Sequence, residues 1–79
     1  SPNVEELKLN AIPQKFQNKS LAEMELRKHT NCNVIGYRDA KGKQYINPDA
    51  HMVLESEGKL IILGTRDAIK KLNQMFQLD

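Results

Sequence analysis

The sequence predicts an α+β fold: a small, mostly antiparallel four-stranded sheet with two helices, in the order strand, helix, strands, helix. Three observations carry this expectation. Apolar stretches of strand length, among them Leu7/Leu9 and the run from Leu60 to Leu63, are separated by turn-forming residues. Ser20-Leu21-Ala22-Glu23 has the spacing of a capping box, in which serine and glutamate satisfy each other's backbone N–H groups. Near the C-terminus Ile69, Leu72 and Phe76 recur at i, i+3 and i+7, the apolar stripe of an amphipathic helix.

Taken in order, residues 4–12 read as a short half-buried strand, which Pro13 ends. A loop follows, with Phe16 as its apolar anchor. The helix capped by Ser20 is expected to run about two and a half turns to His29, with Asn31 as a left-handed stop. Its apolar residues form no single stripe: Leu21 and Met24 point one way, Ala22 and Leu26 another. Residues 32–38 read as the second strand, 39–42 as a hairpin turn carrying Gly42, and 43–47 as the returning strand. Pro48-Asp49 breaks that strand, and residues 51–54 give only a short, weak strand signal. Residues 55–58 form a polar turn, and 59–64 the last strand. Thr65 caps the closing helix, with Asp67 favourably placed in its first turn and Lys70, Lys71, Asn73 and Gln74 towards water.

The run Leu60-Ile61-Ile62-Leu63 shows no alternation, so both faces of that strand should be covered. Two short helices cover one face of a four-stranded sheet; a second copy of the chain would supply the other cover in a symmetric dimer. Composition bounds the function. A chain of 79 residues is one domain, small for a deep catalytic cleft. Its net charge of +2, without an aromatic stacking set, leads us to expect no nucleic acid polymer as partner. The one cysteine, Cys32, has no partner for a disulfide or at metal-ligand spacing, which fits a reducing compartment. No apolar run approaches the ~20 residues of a membrane span, so no direct membrane insertion is expected. The chain opens Ser-Pro-Asn rather than with methionine, as a piece of a longer protein would.

Asp49, His51, Glu55 and Glu57 gather metal-ligating types, but at no known loop spacing, and read as a solvated turn. No nucleophile–base–orienter set appears, so we expect no enzyme, no catalytic residue and no metal site. Tyr37 and Tyr45 are placed to face each other across the hairpin.

The ordered landmarks resemble the C-terminal subdomain of the regulator-of-potassium-conductance family, also called the TrkA C-terminal domain. These are Ile12-Pro13; the capped helix with Leu26-Arg27; Val34-Ile35-Gly36-Tyr37-Arg38; Asn47-Pro48-Asp49; then Leu54, a turn, and Leu60 to Gly64 before a final helix. The resemblance covers residues 4–76. It departs at Lys59, where the family usually has aspartate, and at Asn18, where it has a glycine before the cap; asparagine tolerates the same left-handed backbone.

The resemblance implies a regulatory, ligand-sensing homodimer on the cytoplasmic side of the cell membrane. Its partner would be a membrane-embedded potassium channel or transporter pore, in the same chain or as a separate subunit. Changes in dimer geometry would gate ion flux. It further implies cyclic di-AMP as ligand, in the cleft between two copies, held at the matching positions Arg27, Asn33, Val34, Ile35, Asn47 and Pro48. Those residue types suit it: Arg27 offers paired donors to phosphate, Asn33 hydrogen-bonds, and Ile35 and Pro48 give an apolar floor for a base. The alternative is a structural dimerisation domain of another ion or carboxylate transporter, with no ligand of its own. In that case Arg27 is a solvated helix-end cation, Val34 and Ile35 are core, and Asn47 is a turn residue.

Overall fold

A computed structural model describes residues 1–77. Its elements are β1 (Asn3–Lys8), a 3₁₀ turn (Gln14–Phe16), α1 (Leu21–Met24), α2 (Leu26–Thr30), β2 (Asn33–Arg38), β3 (Gln44–Ile46), β4 (Lys59–Gly64) and α3 (Arg66–Phe76). The four strands form one antiparallel sheet in the order β1-β4-β2-β3. The last strand thus lies inside the sheet, paired on both edges.

That position explains the apolar run. Leu60 and Ile62 are fully buried on one face, where they meet Leu7, Tyr37, Met24, Leu26, Ile69, Leu72 and Phe76. Ile61 and Leu63 point to the reverse face and are only half-buried. The expectation that both faces are covered therefore holds for one face within the chain. The helices contribute their buried residues to the Leu60/Ile62 side, and on the reverse side Val4 and Ile46 are 61% and 86% exposed. β1 stops at Lys8, short of residue 12, yet Leu9 stays in the core: its N–H donates to the Gly58 carbonyl at 2.8 Å.

The capping box is present. The Ser20 hydroxyl accepts from the Glu23 N–H at 3.2 Å, and the Glu23 carboxylate accepts from the Ser20 N–H at 2.8 Å. These bonds, the one to the Ser20 backbone foremost, hold the Glu23 carboxyl below its ordinary range. The helix that follows is not continuous to His29. It breaks at Glu25, whose backbone is left-handed at φ 52°. The cause is packing. Met24 and Leu26 lie about 200° apart on a regular helix, so one helix cannot bury both on one side. With Glu25 reversed between them, both enter the core, at 2% and 4% exposure. The missing stripe in the sequence was the mark of this break. Asn31 then closes α2 at φ 67°, and Asn18 precedes the cap at φ 63°, both as the residue types suggest.

Tyr37 and Tyr45 are cross-strand partners with ring centroids 6.0 Å apart. The hairpin between them turns on Asp39, whose Oδ1 accepts from the Lys41 and Lys43 N–H groups, and on Gly42 at φ 90°. Residues 51–54 form no strand; Val53 makes a single bridge to Ser20. α3 is capped by Thr65, whose hydroxyl accepts from the Ala68 N–H, and its Phe76 packs on Phe16 with centroids 5.2 Å apart.

Candidate functional site

The site is built where α2 hands the chain to β2. Thr30 is 2% exposed, and its hydroxyl joins the two elements: it donates to the Leu26 carbonyl at 2.7 Å and accepts from the Cys32 N–H at 3.0 Å. This buried hydroxyl thereby uses its donor and one acceptor site locally, which ties the start of β2 to the last turn of the helix. β2 then behaves as two halves. Gly36, Tyr37 and Arg38 pair with both β3 and β4, whereas Asn33 and Val34 pair with β4 alone. Ile35 sits at a register shift between them, a bulge that bends the strand.

The open half of β2 and the broken helix enclose a shallow groove of about 290 Å³. Arg27, Asn33 and Val34 line it, with Leu21, Ala22, Glu25, Lys28 and Cys32. Of the six residues the sequence points to, the groove thus brings together three. Arg27 and Asn33 are exposed polar groups on its rim, and Val34 is half-buried beside them. Ile35, Asn47 and Pro48 lie outside the groove lining and form a second group. The Asn47 N–H donates to the Ile35 carbonyl at 3.0 Å, with Asn47 itself left-handed at φ 47°. The two groups are joined in two places. One is β2, which carries both Asn33 and Ile35. The other is the loop after Pro48, whose Ala50 and Met52 carbonyls accept from the Ala22 and Leu21 N–H groups, each at 2.9 Å. Those N–H groups are orphan donors of a helix start, so the loop and α1 satisfy each other.

Sequence reasoning missed Leu21, Ala22, Glu25, Lys28 and Cys32 as groove residues. The usable signal was the conflict between Met24 and Leu26, which locates the break and hence the mouth of the groove. Glu25 and Lys28 make an exposed ion pair there at 3.7 Å, which adds little to stability. Asp49, His51, Glu55 and Glu57 do not converge. Asp49 closes its own turn by accepting from the His51 N–H at 2.7 Å, while Glu57 pairs with Lys8 at 3.8 Å. Among the described residues no group of three or more His, Cys, Asp or Glu side chains is placed to hold a metal ion, and no helix is long and apolar enough to cross a membrane.

A model of the TrkA-C domain family matches residues 4–77. No curated protein matches the chain by sequence. Among solved structures, the chain is similar to BusR of S. agalactiae in two settings. One is an RCK_C domain dimer in complex with c-di-AMP, at 18% identity and a TM-score of 0.84, covering 96% of this chain and 97% of that one. The other is BusR in complex with its promoter DNA, at 18% identity and a TM-score of 0.88, covering 99% of this chain and 38% of that one. It is similar also to the RCK C domain of the potassium transport protein KtrA in complex with c-di-AMP, at 24% identity and a TM-score of 0.73, covering 96% and 81%. A further likeness is to the GsuK channel bound to NAD, at 24% identity and a TM-score of 0.78, covering 99% of this chain and 14% of that one. At these identities the likenesses show the fold.

They also correct one expectation. A potassium pore as the partner, with no nucleic acid polymer, does not stand as a rule for domains of this fold, because BusR carries one and is bound to promoter DNA. The physical reason is coverage. A net charge of +2 describes this segment alone, and the chain spans about 38% of the DNA-bound protein.

Proposed function

The chain belongs to the TrkA-C domain family, and on that premise we propose that it is a ligand-sensing regulatory domain whose two copies close around c-di-AMP. The carrying observation is the groove between the broken helix and the open half of β2. It sets the Arg27 guanidinium, the Asn33 amide and the apolar Val34 around one cavity. Arginine gives phosphate a two-pronged, charge-assisted contact, and the amide and the apolar side chain suit a base. Ligand pockets run from ~300 to ~1,000 Å³, and a groove of about 290 Å³, just below that range, takes at most one half of a dinucleotide. A dinucleotide then needs two grooves, and a two-fold ligand suits a two-fold pair. The second group, Ile35, Asn47 and Pro48, borders the same ligand from the edge of β2. BusR and KtrA domains of this fold have been solved with c-di-AMP, which supports the choice of ligand.

In this reading the 79 residues are a single non-enzymatic regulatory domain of a longer protein on the cytoplasmic side of the membrane, and the regulated process is potassium transport. Ligand that favours one pairing of the two copies shifts the population of states in whatever is attached. A second reading replaces potassium transport by control of a promoter. It is favoured by the BusR complexes with DNA. Calorimetric titration tests the ligand. We expect one c-di-AMP per two chains, and a loss of about tenfold or more in affinity for Arg27→Ala, the scale of a hydrogen bond to a charged group. No heat from the wild-type chain would leave a purely structural pairing domain.

A further inference from the structure

The reverse face of the sheet, apart from Asn33, takes no part in the groove. Strand register lays it out in three rows. Val4, Leu63 and Asn33 form the first; Glu6, Ile61, Gly36 and Ile46 the second; Lys8, Lys59, Arg38 and Gln44 the third. Cross-strand partners share a face with Cβ atoms about 5 Å apart, so the third row carries three adjacent cations. Lys59 and Arg38 are half-buried, and of these three cations only Lys8 has a salt-bridge partner among the described residues, Glu57. Like charges directly opposite on neighbouring strands repel. The rows above carry Val4, Leu63, Ile61 and Ile46 beside the exposed Glu6 and Asn33, with Val4 61% and Ile46 86% exposed, and Gly36 lets Ile61 lie low, within 3.3 Å of where a Cβ on Gly36 would stand.

With the strands of two copies aligned, a second copy does not complement this face. A two-fold axis along the strands stacks the cation row on its own image. An axis across them sets Glu6 against Glu6, and the cations against Val4, Leu63 and Asn33. Neither arrangement brings a carboxylate to Lys59. A phosphate backbone would meet the cations but offer nothing to Val4, Ile61, Leu63 and Ile46. We propose that the reverse sheet face docks a polypeptide segment other than a second copy of this chain, with an apolar stripe over Ile61 and Leu63 and carboxylates over the row Lys8, Lys59, Arg38. Apart from Asn33 this surface is separate from the groove, and it gives the domain a second, charge-selected contact.

The test is fluorescence anisotropy with a labelled helical peptide that has a leucine stripe flanked by glutamates, set against the same peptide with lysines in place of glutamates. Saturable binding is expected for the glutamate peptide only, falling about tenfold or more in Lys59→Glu. The same substitution should raise the melting temperature at low salt, because it breaks the like-charge row, and should leave c-di-AMP binding unchanged. A residue kept only for the fold would not gain stability while losing a ligand. The proposal is overturned by no saturable binding, equal binding of the lysine peptide, equal binding in Lys59→Glu, or duplex DNA or anionic vesicles binding more tightly than the peptide. A dimer seen by light scattering and dissolved by Lys59→Glu would also overturn it, by assigning the face to a second copy.

Discussion

The two halves of β2 are built from one continuous segment and do opposite things. The half with Gly36, Tyr37 and Arg38 is paired on both edges. Tyr37 at its centre is 2% exposed, stacked on Tyr45, and accepts a hydrogen bond from the Glu55 N–H at 3.1 Å. The half with Asn33 and Val34 has one edge free, and its side chains reach the groove. The difference shows how one short strand can be both frame and open edge. One half of a strand is locked into the sheet, and the other is left open at a position the first half fixes. A bulge at Ile35 divides them, so the strand need not carry one register through both.

Breaking the locked half should have the largest effect. Tyr37→Ala removes a buried aromatic and should cost about 3–5 kcal/mol in denaturant unfolding. Tyr37→Phe leaves the Glu55 N–H without its partner and should cost about 1–2 kcal/mol. Gly58→Ala comes next. A Cβ there would stand 2.6 Å from the Tyr37 hydroxyl and 2.9 Å from the Arg38 carbonyl. Backbone gives way poorly, so a loss of about 1–3 kcal/mol is expected. Ser20→Ala removes the cap that positions α1 and should cost about 1 kcal/mol.

The Tyr37 half should also be legible in a pH series. Burial, before any other influence, raises the Tyr37 phenol above its ordinary value of 10.0. A raised native value means that the folded state holds the proton more tightly than the unfolded one. Its contribution is complete below pH ~10 and is lost as pH rises through the native value. Tyr37→Phe should flatten that alkaline limb in urea titrations. Glu23 works the other way: its lowered carboxyl stabilises above the ordinary carboxylate range, and the contribution fades as pH falls through the native value.

The open half should show the smallest effect on stability. Asn33→Ala and Arg27→Ala, both exposed, should change it by no more than about 0.5 kcal/mol, while weakening c-di-AMP. Equal losses of stability in the two halves would erase the distinction between frame and site.

Much of the frame was legible because its causes are local. Ser20 and Glu23 announce a helix start, Asp39 and Gly42 a hairpin, and Ile69, Leu72 and Phe76 one face of α3. The run at 60–63 announced a strand with both faces covered, whereas within the chain only its Leu60 and Ile62 side is fully buried. Of the six candidate residues, half share the groove. Arg27, Asn33 and Val34 fall together because the Thr30 hydroxyl fixes the junction between α2 and β2. Ile35, Asn47 and Pro48 belong to a neighbouring group beside the bulge, whose mark in the sequence is Gly36 inside a strand pattern, a sign that gives neither the position nor the consequence of the shift. The break at Glu25 was written as an absence, a helix without a stripe, and acquires meaning only when Met24 and Leu26 are both found buried.

The central claim is that the open half of β2 and the broken helix hold a shared ligand between two copies. Titrating c-di-AMP into the isotope-labelled chain, with amide shifts and molecular mass followed together, tests it most directly. The account predicts shifts gathered at Arg27, at Asn33 to Ile35 and at Asn47, with the mass settling at two chains per ligand. A saturated titration with shifts confined to Gly36 to Arg38 or to α3, or no shifts at all, would contradict it.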